Sequence, residues 1–465
     1  MFSIEAKTKP SVFEALFIVI IVISIISIAI GKLGATPHIP ILFSIILLIF
    51  YGLLKRVPFN ILEDSMKSGA ISGIGAIYIF FLIGILISSW IVGGTIPTLL
   101  YIGLSLVTAS FFYTIVFIIT AIIGTAIGSS LTTVATVGVA FISIAGAIDA
   151  SLVLTAGAIV SGAFFGDKMS PLSDTTNLAA SIVNIDLFEH IKNMSWTTVP
   201  AFFLSAVLYS VLSPSISGLD DTAITSYKAS LQATNFVHWY AIVPLIVLII
   251  CTFIKMPAFL TLIVSSLVAL LLSIFHTSLS FMDYCQILYS GYVSETGVEV
   301  IDSLLTRGGI NSMFFTIMLV VLSLSMGGLL FALGIIQTLL SKFDQLLKSV
   351  GALITGTAFT AIGINILVGE QYLSILLTGE AYKQKYRELG LHPKNLSRVM
   401  EDAGTVINPL VPWSVCGLFI ASMLEVSVTD YLPFAFFCLL SPVLTIIFGW
   451  LNLTISRNII ISRSK

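Results

Sequence analysis

Long apolar runs separated by short polar stretches fill this chain, at 12–30, 39–54, 71–92, 98–123, 134–148, 152–165, 197–212, 241–254, 258–275, 313–333, 352–367, 404–424 and 431–451. The longest pass the roughly 18 apolar residues at which a run reads as a membrane helix. At 1.5 Å per residue, 71–92 would make a helix about 33 Å long, which matches a hydrocarbon core of roughly 30 Å. Others are too short to span without distortion. The pattern predicts an all-α polytopic membrane protein with about 10–13 membrane segments.

Composition agrees with the pattern. Of the 465 residues, 57% are apolar and 9% charged, against roughly 25% charged in ordinary soluble domains. The formal net charge is −2, and no Lys/Arg cluster coincides with exposed aromatics, so a nucleic-acid partner is not expected. Cys251, Cys285, Cys416 and Cys438 show no CxxC spacing and predict neither a disulfide framework nor a zinc site. The first run follows Lys7 and Lys9 as a signal peptide would, but it is long enough to span and no A-x-A site follows it. It is expected to be a retained helix. The basic stretches at Lys55, Arg56 and Lys67, at Lys342 and Lys348, from Lys383 to Arg398, and at Arg457, Arg463 and Lys465 are expected inside. Both termini are then cytoplasmic in a multi-pass cell-membrane protein, with lipid as solvent.

A shift of 240 positions aligns Lys67 with Arg307, Gly69 with Gly309, Gly94 with Gly334 and Thr98-Leu99-Leu100 with Thr338-Leu339-Leu340. Under the loop orientations above, the helix after Lys67 leaves the cytoplasm and the one after Arg307 enters it. Two inverted-topology repeats are therefore expected, with re-entrant hairpins and broken helices, the architecture of secondary transporters. The expected division is 1–54 as N-terminal membrane helices, 60–212 as the first transport repeat, 213–300 as a connecting segment, 301–452 as the second repeat and 453–465 as a cytoplasmic tail.

Polar chemistry concentrates in a few places inside apolar context. The block 166–180 carries Asp167, Lys168, Ser170, Pro171, Ser173, Asp174, Thr175, Thr176 and Asn177. Pro171 disfavours helical geometry at Ser170 and frees carbonyls, so hard oxygen ligands gather there. Such a set suits an alkali cation, and Asp167 or Asp174 can also take a proton. The plainer reading is a cytoplasmic loop in which Ser173 or Asp174 caps the next helix. In the second half, Asp402, Thr405, Asn408 and Ser414 surround Pro409 and Pro412, which predicts another broken helix; the plain alternative is an N-cap by Asp402. Glu370 and Gln371 lie between apolar stretches beside Asn365, and opposite them in the duplication stand Ser129, Ser130, Thr132 and Thr133. Glu370 reads as a proton or cation carrier or as a hairpin anchor, and the hydroxyls as neutral ligands or as small packing residues. The candidate cation and proton site is thus Asp167, Ser170, Asp174, Thr175, Thr176, Asn177, Glu370, Gln371, Asp402, Thr405 and Asn408, with Asp167 and Asp402 as the metal-binding carboxylates. Ser129, Ser130, Thr132, Thr133, Asn365 and Ser414 are the candidate substrate ligands. No nucleotide-hydrolysis motif appears, and no cofactor is expected.

At these blocks the sequence resembles the NhaC family of Na+/H+ antiporters, whose relatives include sodium-coupled malate/lactate antiporters. The stretch 166–179 carries the likeness most distinctively, joined by Asn365-Ile366-Leu367, Gln371-Tyr372-Leu373-Ser374, 393–398, Glu401-Asp402, Gly404-Thr405-Val406, Pro409-Leu410, Pro412-Trp413 and Cys416-Gly417. Departures fall at Leu131-Thr132, where the family usually has Trp-Gly, and at Glu370, where Asp is common. They also fall at Ala403, Ile407 and Asn408, where small hydroxyls are usual, and at Ser414-Val415, where Asn-Thr is. The resemblance implies exchange of Na+, or another monovalent cation, for H+ by a carrier. Exchange of a small organic acid, an intramembrane aspartyl protease built on two membrane aspartates, a passive channel and a homo-oligomeric assembly are the open alternatives.

Overall fold

The computed structural model describes residues 6–33, 35–106, 111–171, 173–213, 221–254, 256–295, 297, 302, 305–343 and 348–457. Among these residues the chain is a polytopic all-α membrane protein; the only strand-like pairing is an isolated bridge between Leu391 and Arg457. Five helices are long and apolar enough to cross a bilayer, namely Val12–Ile30, Leu152–Met169, Leu187–Leu212, Ile310–Ala332 and Val350–Val368. Three further pairs form spans only when taken together, because each is bent: Ile77–Val92 with Thr95–Ile102 by 67°, Lys394–Leu410 with Val415–Leu424 by 46°, and Val428–Phe434 with Phe436–Trp450 by 57°. Large apolar side chains such as Phe13, Phe43, Phe203, Val211 and Ile274 are exposed on the outside. Water would punish that surface and hydrocarbon does not.

Helices approach closely where side chains are missing. The helices Phe112–Ile127 and Leu152–Met169 cross on glycines: a Cβ on Gly166 would lie 2.4 Å from the carbonyl carbon of Gly124, and one on Gly162 would lie 2.5 Å from the Phe117 oxygen. This small-xxx-small contact carries Asp167 to the end of the neighbouring helix. The helices Phe59–Ser72 and Ile310–Ala332 meet the same way, with a Cβ on Gly69 or Gly328 falling 2.2 Å from the Leu324 or Ser65 oxygen.

Three expectations change. The apolar run 98–123 is not one span but parts of two helices, Thr95–Leu106 and Phe112–Ile127, with Phe111 in the left-handed region at φ 67°. A turn made without Gly or Pro leaves no breaker for a composition window to detect. The run expected from residue 197 begins at Leu187, because Asp186 accepts from the N–H groups of Phe188 and Glu189, each at 3.0 Å, and fixes an earlier start. The basic stretch 383–398 is mostly helical rather than a loop, spread over Gln371–Glu388 and Lys394–Met400. Its charges are used in packing: Lys383 donates to the Ile182 carbonyl at 2.7 Å, Lys394 pairs with Glu189 at 2.9 Å, and buried Arg398 bonds Thr454. Leu172 of the first polar block, 214–220 of the connecting segment and 458–465 of the tail lie outside the described residues.

Candidate functional site

Two helix ends of the same design point into the interior. The helix Phe112–Ile127 stops at Gly128, and Val350–Val368 stops at Gly369, both left-handed with φ 72° and 74°. Each glycine is followed by an extended residue whose side chain caps the next helix. After Gly128 it is Ser129, which accepts from the Thr132 N–H at 3.3 Å; after Gly369 it is Glu370, which accepts from the Leu373 N–H at 2.8 Å. One tip is therefore capped by a neutral hydroxyl and the other by a carboxylate.

Between the tips lies a cavity of about 740 Å³. Ser129, Ser130, Thr132, Asp167, Asp174, Thr175, Asn177, Glu370 and Gln371 line it, together with Tyr78, Tyr372 and Cys416. Among the described residues no Lys, Arg or His reaches its wall. Asp167 ends the helix Leu152–Met169 and is 5% exposed. Its Oδ2 accepts from the Ser130 hydroxyl at 2.7 Å and from the Ser130 N–H at 3.2 Å. These are neutral donors, so the carboxylate meets no cationic side chain on this wall. Asp174 is exposed to the cavity, and the Gln371 Oε1 is buried with no hydrogen-bond partner.

The break behind Asp167 follows from Pro171. Ser170 is extended at φ −81° and ψ 130°, and a new helix starts at Asp174 under a Ser173 cap. The carbonyls thus freed are covered locally: Thr176 donates to the Lys168 oxygen at 3.1 Å, and Asn177 to Pro171 and Ser173 at 3.0 and 2.7 Å. Ser170 and Thr176 are buried and lie off the cavity wall.

The second block is broken as expected but closed. Lys394–Met400 passes into a π turn over Glu401–Thr405, then a 3-10 turn over Asn408–Leu410, before Val415–Leu424. Asp402 is fully buried inside that turn, so it is neither a cap nor a wall residue. Its Oδ1 is bonded by the ammonium of Lys168, and its Oδ2 accepts from the Thr197 hydroxyl at 2.8 Å. Asn365 donates to the Gly404 carbonyl at 2.6 Å and accepts from Asn408 at 2.8 Å; the Asn408 Oδ1 accepts from the Cys416 N–H at 3.1 Å, and Ser414 donates to the Asn408 carbonyl. These side chains serve backbone groups that the break exposes. Thr133 likewise donates to the Ser129 carbonyl at 2.8 Å, while Thr405 is fully buried off the cavity wall.

The structure therefore gathers nine of the seventeen sequence-chosen residues around one cavity and sets Ser170, Thr176, Asn365, Asp402, Thr405, Asn408, Ser414 and Thr133 behind it. Lys168 is paired with Asp402 rather than with neighbouring Asp167, across 234 positions. Sequence reasoning missed Thr197, which carried no signal beyond being a hydroxyl in an apolar run. It also passed over Glu401 as a site residue, a fully buried acid inside the same π turn.

The pattern of the Na+/H+ antiporter family matches residues 162–453. The chain is 40% identical over 452 residues to the Na(+)/H(+) antiporter NhaC of Alkalihalophilus pseudofirmus, covering 97% of this chain and 98% of that protein. It is 38% identical to the Na(+)/H(+) antiporter NhaC of Bacillus subtilis, over 96% of this chain and 100% of that one. It is 32% identical to the malate-2H(+)/Na(+)-lactate antiporter of Bacillus subtilis, over 95% of each.

Proposed function

This chain belongs to the Na+/H+ antiporter family, and on that premise we propose that it exchanges cytosolic Na+ for external H+ with Asp167 as the carboxylate for which the two ions compete. The observation that carries the reading is the setting of Asp167: on a cavity wall, held by neutral donors, with no Lys, Arg or His among the described residues of that wall. A carboxylate held this way is free to take either a metal ion or a proton. Hydroxyl, amide and carboxylate oxygens from Ser129, Thr132, Asp174, Thr175, Glu370 and Gln371 complete a hard-oxygen lining suited to an alkali cation. If the carrier reorients with either ligand bound but not empty, competition itself couples the two fluxes.

Asp402 takes a different part. Its tie to Lys168 and Thr197 makes it the counter-charge that lets Lys168 lie buried next to the site. The matched tips at Gly128 and Gly369, and the paired left-handed glycines Gly94 and Gly334, support reading 60–212 and 301–452 as two copies that rock against each other. With the basic stretches inside, the termini are cytoplasmic and the cavity opens toward the cytoplasm.

An organic acid is less well served, because its carboxylate would face Asp167, Asp174 and Glu370 with no cationic side chain among the described residues of the wall. Na+-induced collapse of a pH gradient in everted vesicles tests the reading, with labelled malate and lactate uptake as the second arm. Loss of the response in Asp167→Asn, with normal protein amount, is expected. An unchanged response would overturn the assignment.

A further inference from the structure

A second, smaller cavity of about 280 Å³ lies away from the one already described, lined by Ile87, Val139, Ser312, Met313, Ser422 and Met423. The two cavities use the same three helices at opposite ends. On Ile74–Val92 the large cavity touches Ile79 and the small one Ile87, roughly 12 Å further along the axis. On Val415–Leu424 the pair is Cys416 and Met423, about 10 Å apart, and on Ile310–Ala332 it is Leu324 and Met313, about 16 Å apart. Between them on two of these helices stand Phe80 and Phe419, both fully buried, with rings stacked at 5.1 Å and 10°. At the far mouth Arg307 pairs with Glu425 at 3.1 Å and also reaches the Met423 carbonyl at 3.4 Å.

We propose that the two cavities are the two half-channels of the transport cycle, that the Phe80–Phe419 stack is the seal between them, and that the Arg307–Glu425 pair shuts the far mouth. This rests on the exchange reading above for its direction and purpose. The seal is apolar, so an ion that must keep its oxygen ligands cannot pass it while the rings are stacked. In the opposite state the stack would part from the large cavity's side and the ion pair would open.

The test uses the full chain in liposomes, with exposed Cys285 replaced by serine, Ser422→Cys as reporter and the same chain without the reporter as the blank. Arg307→Gln is expected to raise labelling of that cysteine by an impermeant maleimide, added on the far side, by about tenfold. The exchange Arg307→Glu with Glu425→Arg should restore the low rate. Phe80→Ala should let the reagent reach the same cysteine from the large cavity's side and produce a Na+ leak that needs no proton counter-flux. Phe80→Leu, which keeps the bulk but not the ring, should give a smaller increase of the same kind if the alanine variant fails to fold. Wild-type exchange with unchanged labelling in all variants would overturn the seal and leave the exchange reading standing. Altered labelling in a protein that shows no Na+/H+ exchange would do the reverse.

Discussion

Asp167 and Asp402 sit in similar sequence settings, each an acid a few residues before a Pro-Leu pair in an apolar run, and the fold uses them in opposite ways. Asp167 ends a regular helix, so its carboxylate projects to a cavity and is met by serine donors alone among the described residues. Asp402 falls inside a π turn, which rotates it inward onto Lys168 and Thr197. A carboxylate that binds a passing ion must keep capacity in reserve. One whose oxygens are both taken by a buried ammonium and a hydroxyl has little left. The difference teaches that an intramembrane acid is a functional candidate only until its partner is known.

The contrast can be broken first at Asp167. Asn there keeps the shape and removes the charge, so Na+-dependent proton flux should fall at least about 100-fold, the factor corresponding to roughly 3 kcal/mol of charge-assisted binding. Thermal unfolding in detergent should scarcely move. Asp402→Leu should do the reverse, costing about 3–5 kcal/mol by leaving Lys168 buried without a counter-charge. The double variant with Lys168→Met should recover most of the lost unfolding temperature. A single variant that melts with the wild type would remove Asp402 from its structural role.

Glu370→Gln comes next. It removes a carboxylate from the cavity and weakens the cap on the Leu373 N–H, and about a tenfold drop in exchange rate is expected from the loss of a charged hydrogen bond. Ser130→Ala deletes the 2.7 Å hydroxyl donor but leaves the backbone donor in place. Its effect should be smaller, a change of about fivefold in the Na+ concentration for half-maximal exchange, as one hydrogen bond of about 1 kcal/mol implies. Smallest in its effect on exchange is Gly128→Ala, whose cost of about 1–2 kcal/mol for a left-handed alanine at φ 72° falls on folding. That should lower the unfolding temperature slightly and leave the ion preference unchanged.

Much of the fold was legible because bilayer burial imposes a one-dimensional rule. Apolar length reports a membrane helix, and Pro171, Pro409 and Pro412 announce breaks wherever they fall. The cavity-lining set around Asp167 was legible for a related reason: hydroxyls and acids have no business in hydrocarbon unless protein covers them. The turn at Phe111 and the helical start at Asp186 were not, since each depends on a local geometry that composition does not encode.

What the residue order alone determined, then, was that this is a membrane-embedded helical carrier with two broken, acid-bearing segments, and which family it resembles. Only tertiary structure decided which acid faces the cavity and which is spent on Lys168. Sequence spacing fixes a residue's place along its own helix, but a partner 234 positions away is chosen by how separate segments pack, just as the neighbour of Asp167's own helix is set by where Gly124, Gly162 and Gly166 let two backbones touch.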